Sequence, residues 1–354
     1  MGRKKRIAVT LIAAFPWAMG VVEAQDEITT NPLFANQAPL ELRIVGPFQQ
    51  LSRDGRERPE RDAIVEIANS DGEPVVLDAK IRIRGNTRVE LCDRPPLSID
   101  FSRQQVAGTE FAGQNTLKLV TMCRRTDIYR DYLRYEFLIY RLFNVLTDAS
   151  FRVRWVEVEY VYDDTKKPRS YFEPAFFIEE EWEVAERHGL DVIEREQLSL
   201  DSLDAPHTAV LMLFQYMIGN TDVAVLRGPP GDDCCHNGKV IGAEGVPLLI
   251  LPYDFDQSGL INAQYASPSE LLPTPITSVT QRLYRGFCQH NAEIDAAISR
   301  FNENREIMES MLDDDSVSKR ARERALDFLR ESFERINDPK RLQSDIMDAR
   351  RCRA

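Results

Sequence analysis

From residue 40 the chain alternates apolar and polar positions. "LELRIV" at 40–45, "AIVEIA" at 63–68 and "AKIRIRGN" at 79–86 place an apolar residue at almost every second position. That period of two is the mark of a half-buried strand. "PLSIDF" (96–101) and "TLKLVTM" (116–122) continue it. The period then changes. Over 127–146, Ile128, Tyr132, Tyr135, Leu138, Ile139, Leu142 and Leu146 fall on one stripe at helical spacing. "WVEVEYVY" (155–162) and "YFEPAFFIEE" (171–180) return to strand, with "DDTKKP" as the turn between them.

Beyond about residue 182 the texture is helical. "APHTAVLMLFQYMI" (205–218) predicts a strongly apolar helix stopped by Gly219, a natural helix end. A long polar loop follows, then a predicted strand pair, "KVI" (239–241) and "PLLILPY" (247–253). Residues 276–350 predict amphipathic helix. There is no regular βαβα alternation, which argues against a doubly wound sheet. The pattern predicts an α+β protein: a β-rich N-lobe (40–180) with one long helix, and a mainly helical C-lobe (181–350) carrying the polar loops. A cleft between two lobes is the usual place for a small-molecule site.

The start of the chain changes the expected location. Residues 1–24 read as a cleavable signal peptide: Arg3, Lys4, Lys5 and Arg6, then a mostly apolar stretch, then a small-residue cleavage site before Gln25. Residues 25–39 read as a polar, flexible leader. No later stretch approaches the ~20 apolar residues that a membrane span requires. The expectation is an exported protein, periplasmic or extracellular, free of the membrane after signal cleavage. The six cysteines then predict disulfides. Cys92 and Cys123 flank neighbouring predicted strands and are the first expected pair. Cys234 and Cys235 are adjacent and are expected to take separate partners, such as Cys288 or Cys352. The net charge of -12 argues against a nucleic-acid partner, because phosphate backbones need a basic surface.

Chemistry concentrates between Asn220 and Gly259. Asp222 follows a helix end, Asn237 precedes a strand, and Asp254 and Asp256 follow the next strand. If that hairpin folds back, Asp222, Asn237, Asp254 and Asp256 form a cluster of oxygen ligands of the kind Mg²⁺ or Mn²⁺ prefers. Read singly, each carboxylate also fits a turn or helix cap. Lys118 interrupts an apolar strand, and Glu136 sits about 18 residues on, in the long predicted helix. A strand lysine paired with a helix glutamate positions nucleotide phosphates in protein kinases. In "RIRGNTR", Arg84 and Arg88 flank a Gly-Asn turn that suits an anion, or serves as an ordinary β-turn. His236, beside Asn237, is the functional candidate among the four histidines. "GDDCCHNG" lacks zinc spacing, and "DFDQSG" is not the nucleophile elbow of a serine hydrolase.

Taken in order, "RGNT" (84–87), "RPPLSIDF" (94–101), "YRDYLRYEFLIYRLF", "GNTD" (219–222), "HN" (236–237) and "PYDFDQSG" (252–259) resemble the spore-coat CotH kinase family. The resemblance spans roughly residues 80–300. It implies a kinase-like two-lobed fold using ATP and a divalent metal, Mg²⁺ or Mn²⁺. It implies Asp222 as the aspartate that orients an acceptor hydroxyl, on a protein or a small molecule. It implies Asn237, Asp254 and Asp256 as metal ligands, and Lys118 and Glu136, with Arg84 nearby, around the phosphates. The segment between Asp222 and Asn237 departs from the family in being longer. The rival functions are a non-catalytic extracytoplasmic pseudokinase or envelope binding protein, and a metal-dependent phosphoester hydrolase.

Overall fold

The computed structural model describes residues 31–68, 74–85, 88–230, 234–269, 272 and 276–348. The expected signal peptide, the first part of the leader, Asn86 and Thr87 of the "RGNT" motif, and Cys352 lie outside the described residues.

The alternating segments form the predicted strands: β1 (Leu40–Gly46), β2 (Arg61–Ala68), β3 (Pro74–Ile83), β4 (Leu97–Phe101), β5 (Thr116–Thr121), β6 (Val153–Tyr162) and β7 (Arg169–Ile178). They are joined in the order β1-β2-β3-β4-β5-β7-β6, and β1 pairs in parallel with β6, Leu40 opposite Val156. That pairing closes the sheet into a barrel. Closure removes both sheet edges and gives the strands an interior of their own. Leu42, Ile44, Val65, Ile81, Ile99, Leu117, Leu119, Val158 and Phe177 fill it. Leu33 and Phe34, in the stretch expected to be a flexible leader, are buried against the same core.

The two-lobed kinase-like fold expected from the resemblance is therefore corrected. Its β-rich half is a closed seven-stranded barrel, not an open lobe sharing its core with the long helix. The short helix α1 (Arg88–Leu91) lies between β3 and β4, and the long helix α2 spans Asp127–Leu146 as its period predicts. The hydrophobic side chains of α2 join a second core, outside the barrel. Phe137 meets Trp155 and Phe176 on the outer faces of β6 and β7, with ring centroids 5.3 and 5.8 Å apart. Its other side meets the helical half. Among the further elements are α3 (Glu181–Arg187), a two-residue strand β8 (Asp191–Val192), α4 (Ala205–Ile218), β9 (Gly238–Gly242), β10 (Leu249–Pro252), α5 (Ile294–Glu303), α6 (Arg305–Leu312) and α7 (Lys319–Asn337). Among the described residues no helix is long and apolar enough to cross a membrane.

Helix α4 begins at Asp204, whose carboxylate accepts from the His207 N–H, and it ends at Gly219 with φ 66°. A side chain there would be strained by that φ and would meet the Phe328 ring at 2.8 Å. Gly259, the glycine of "DQSG", donates its N–H to the Gly219 carbonyl. A Cβ on Gly259 would lie 2.4 Å from the Val279 carbonyl oxygen. This glycine thus answers to a close backbone approach that joins the start of one polar loop to the end of the other.

Candidate functional site

The hairpin does fold back as expected. β9 and β10 pair antiparallel with Gly238 opposite Pro252, and the Tyr253 N–H donates to the Asn237 carbonyl at 3.2 Å. Asn237 therefore sits beside Tyr253 and Asp254. The loop after α4 comes to the same place: the Ala224 and His236 backbones pair with each other at 3.0 Å in both directions. The longer segment between Asp222 and Asn237 loops out without separating them.

A cleft of about 500 Å³ opens at this junction. Arg84 at the end of β3, Arg88 of α1, Glu136 and Tyr140 of α2, and Asp222, Asn237, Asp254 and Asp256 all line it. His236, Lys239, Cys234 and Cys235 also line it. Of the seven site residues that the resemblance implies, six meet here. Lys118 is not among the lining residues.

Asp222 is held from two sides. His236 Nε2 lies 2.9 Å from Oδ1, and Asn237 Nδ2 donates to Oδ2 at 3.0 Å and to the Asp222 carbonyl at 2.7 Å. The hydrogen bond to Asp222 lifts the His236 pKa above its ordinary value, against burial. Because Asn237 spends its NH₂ group on Asp222, its Oδ1 is left without a hydrogen bond among the described residues.

The two aspartates of "PYDFDQSG" differ in state. Asp256 is buried, with 7 % of its side chain exposed, and Oδ2 accepts from Arg88 Nε at 2.9 Å. Asp254 is 45 % exposed to the cleft and only 3.8 Å from Arg88. Its backbone has φ 59°, and Asn237 has φ 51°. Asn and Asp are the non-glycine residues that best tolerate this left-handed region, and such conformers cluster at functional sites. Burial, and then the Asp256 charge, push the Asp254 pKa up to about 8, with Arg88 pulling it down. Solvent reaching the carboxylate from the cleft works against that displacement. Phe255 between them points into the core. It is 0 % exposed and packs 4.8 Å from the Tyr140 ring.

The Lys118–Glu136 pair is corrected. Lys118 Nζ lies 2.7 Å from Glu180 and 2.5 Å from Glu181, at the start of α3. Its neighbours Leu117 and Leu119 point into the barrel, so strand alternation turns Lys118 outward toward α3. Burial disfavours charge on Glu181, yet Lys118 and then Lys239 hold its pKa down at about 2. Glu136 instead accepts from Arg88 at 2.7 Å. Arg88 thereby lies among Glu136, Asp254 and Asp256, buried and held well above its ordinary pKa by the carboxylates despite desolvation. The sequence placed Arg88 beside a turn as a possible anion holder. Its actual carboxylate partners lie 48 and 168 residues away, beyond the reach of local pattern. Arg84, by contrast, has no side-chain hydrogen bond or ion pair among the described residues.

The donor set for a divalent metal is smaller than expected. Among the described residues no three His, Cys, Asp or Glu side chains are grouped to hold one. Asp256 is committed to Arg88. What remains open is the Asp254 carboxylate and Asn237 Oδ1. One carboxylate plus an amide oxygen suits a Mg²⁺-type ion whose other ligands are water and substrate phosphate. The residues fit that arrangement and not an all-protein cage.

The cysteines split the expectation. Cys92 and Cys123 are bonded as expected, 31 residues apart in sequence. Cys234 and Cys235 are bonded to each other, not to the expected separate partners. Cys288 is also disulfide-bonded. No protein-family model matches the chain, and no curated protein matches it. The resemblance to the CotH family rests on its motifs.

Proposed function

We propose that the cleft is a phosphoryl-transfer site that takes ATP with a divalent cation and passes the γ-phosphoryl group to a hydroxyl acceptor. One observation carries the reading. An oriented carboxylate (Asp222), an open carboxylate and amide oxygen (Asp254, Asn237) and a guanidinium without a partner among the described residues (Arg84) converge on one cleft of about 500 Å³. Phosphoryl transfer needs little covalent participation from the protein; it needs positioning and charge. Asp222, fixed by His236 and Asn237, is the acceptor for the incoming hydroxyl proton as the oxygen–phosphorus bond forms and the bond to the leaving ADP oxygen breaks. Arg84 and Lys239 bind phosphate oxygens. Asp254 and Asn237 Oδ1 are the residues that would hold the cation, which when bound neutralises phosphate charge. Arg88 offsets part of the charge of Glu136 and Asp256, which lessens the repulsion between the floor of the cleft and the nucleotide. The disulfides support the exported location, since such bonds persist in oxidising compartments.

A second reading is favoured by the commitment of Asp256 to Arg88. With a single open carboxylate for metal, the same cleft serves an extracytoplasmic protein that binds its ligand without turnover. The test is transfer of labelled phosphate from γ-labelled ATP, with Mg²⁺ or Mn²⁺, to protein and small-molecule hydroxyl acceptors. The proposal expects metal-dependent transfer that falls by about 10²-fold or more in Asp222→Asn, from the scale of general-base effects. Nucleotide binding without transfer supports the second reading instead.

A further inference from the structure

We infer that the mouth of the β-barrel is a second binding site, for a small organic anion with an apolar, ring-sized body. A cavity of about 410 Å³ lies there and shares no lining residue with the cleft. Its size falls within the range of small-molecule sites, and barrel mouths are a common place for them.

The two halves of the expected ligand follow from the lining. Phe48, Leu51 and Leu97 supply an apolar wall. Arg53, Arg94, Arg125 and Arg169 also line the cavity, against one lining carboxylate, Asp93. This concentration of positive charge belongs to a chain whose net charge is -12. Arg53 and Arg169 have no carboxylate partner among the described residues. Arg94 stacks on the Tyr171 ring at 3.4 Å, Arg125 on the same ring at 4.4 Å, and Arg169 on Tyr162 at 4.3 Å. Arg94 and Arg125 both pair with Glu173, a buried carboxylate of β7. These contacts hold flat guanidinium forks in place, the geometry that binds carboxylate or phosphate oxygens. The Cys92–Cys123 bridge fastens the segment bearing Arg94 to the one bearing Arg125.

A separate observation points to a ligand. Tyr160 lines the cavity, is 2 % exposed, and its hydroxyl has no hydrogen-bond partner among the described residues. Buried tyrosine hydroxyls ordinarily find one. The lining thus holds an unspent donor beneath a rim of arginines, as a ligand oxygen would require.

The test uses the purified full chain and three probes of one shape: naphthalene-2-carboxylate, 2-naphthyl phosphate and the neutral naphthalene-2-methanol. Binding is followed by calorimetry and by ligand-observed NMR. Saturable binding of at least one anion, and at least tenfold weaker binding of the alcohol, is expected. The carboxylate and phosphate arms identify the anionic group. Tyr160→Phe should leave the melting temperature of the free protein unchanged or higher, because the lost hydroxyl has no partner to strand. It should weaken the bound anion about five- to tenfold, the scale of one hydrogen bond. Arg169→Gln, at the exposed rim, should weaken it comparably, and Asp254→Asn in the cleft should leave it unchanged. The inference is overturned if neither anion binds, if the alcohol binds as well as the anions, or if binding ignores both Tyr160→Phe and Arg169→Gln.

Discussion

Asp254 shows how much a single side chain can differ from its sequence neighbour. Asp254 and Asp256 are two residues apart and were expected to share one role. Arg88 separates them: Asp256 is a buried ion-pair partner, while Asp254 is left facing the cleft with its pKa pushed up. A carboxyl whose folded pKa exceeds its unfolded value favours folding only while protonated. That contribution is complete below an ordinary pKa of 3.8 and is lost as pH rises through about 8. Asp254→Asn should therefore match the wild type in stability near pH 4 and exceed it near pH 9. The gain should be about 1 kcal/mol, well below full conversion of the shift because solvent reaches the carboxylate. Urea titrations at the two pH values check this. A variant that loses stability at pH 9 would mean that Asp254 is held by contacts and not merely tolerated. The candidate ligands Asp222, Asn237, Asp254 and Asp256 were legible because hairpin geometry brings strand ends together. Arg88 was not, because a buried cation among carboxylates is defined by its distant partners.

At the scale of elements, period carried the reading far. α2 spans its predicted 127–146, and α4 stops at Gly219. Each long strand was visible as alternation. The stripe on α2 was too narrow, however. Tyr129, Leu133, Phe137, Tyr140 and Phe143, off that stripe, are buried as well, because the helix is covered by β6 and β7 on one side and by the helical half on the other. Alternation also holds the lesson of Lys118. With Leu117 and Leu119 inside the barrel, Lys118 must point outward, and the first turn of α3 meets it there before α2 can. Its role is then to neutralise Glu180 and Glu181. Lys118→Met should destabilise the fold by about 3 kcal/mol, the cost of stranding a largely buried charge. Denaturant unfolding measures it, and a stability equal to wild type would contradict the assignment. Glu181 further makes the contact acid-sensitive. Its lowered pKa means that the stabilisation it provides is present above its ordinary pKa of 4.5 and is lost as pH falls toward about 2.

For the whole molecule, closure was the feature that local pattern did not report. β1 meets β6 across more than a hundred residues, as in the Arg43–Glu159 bond with a separation of 116. Period identifies a strand and its buried face but not its neighbour. An open sheet and a closed barrel therefore read alike until the parallel β1–β6 register is known. The barrel also sets where binding surfaces lie. Ile83, Leu97 and Thr121 face the mouth cavity, and their sequence neighbours Arg84, Pro96 and Val120 face the cleft. The ends of β3, β4 and β5 thus divide two polar sites by the same alternation that built the strands.

If Asp254, with Asn237 and Arg84, makes the cleft a nucleotide and cation site as proposed, ATP and a divalent cation must together stabilise the fold. The most direct test of the proposal is a thermal-shift titration of ATP with Mn²⁺, comparing wild type with Asp254→Asn. A ligand bound only to the folded state must raise the melting temperature. A concentration-dependent rise that requires ATP and Mn²⁺ together is expected in the wild type. The rise should be lost in Asp254→Asn, although that variant is itself as stable or more so. No rise in the wild type, or an equal rise in both proteins, would contradict it.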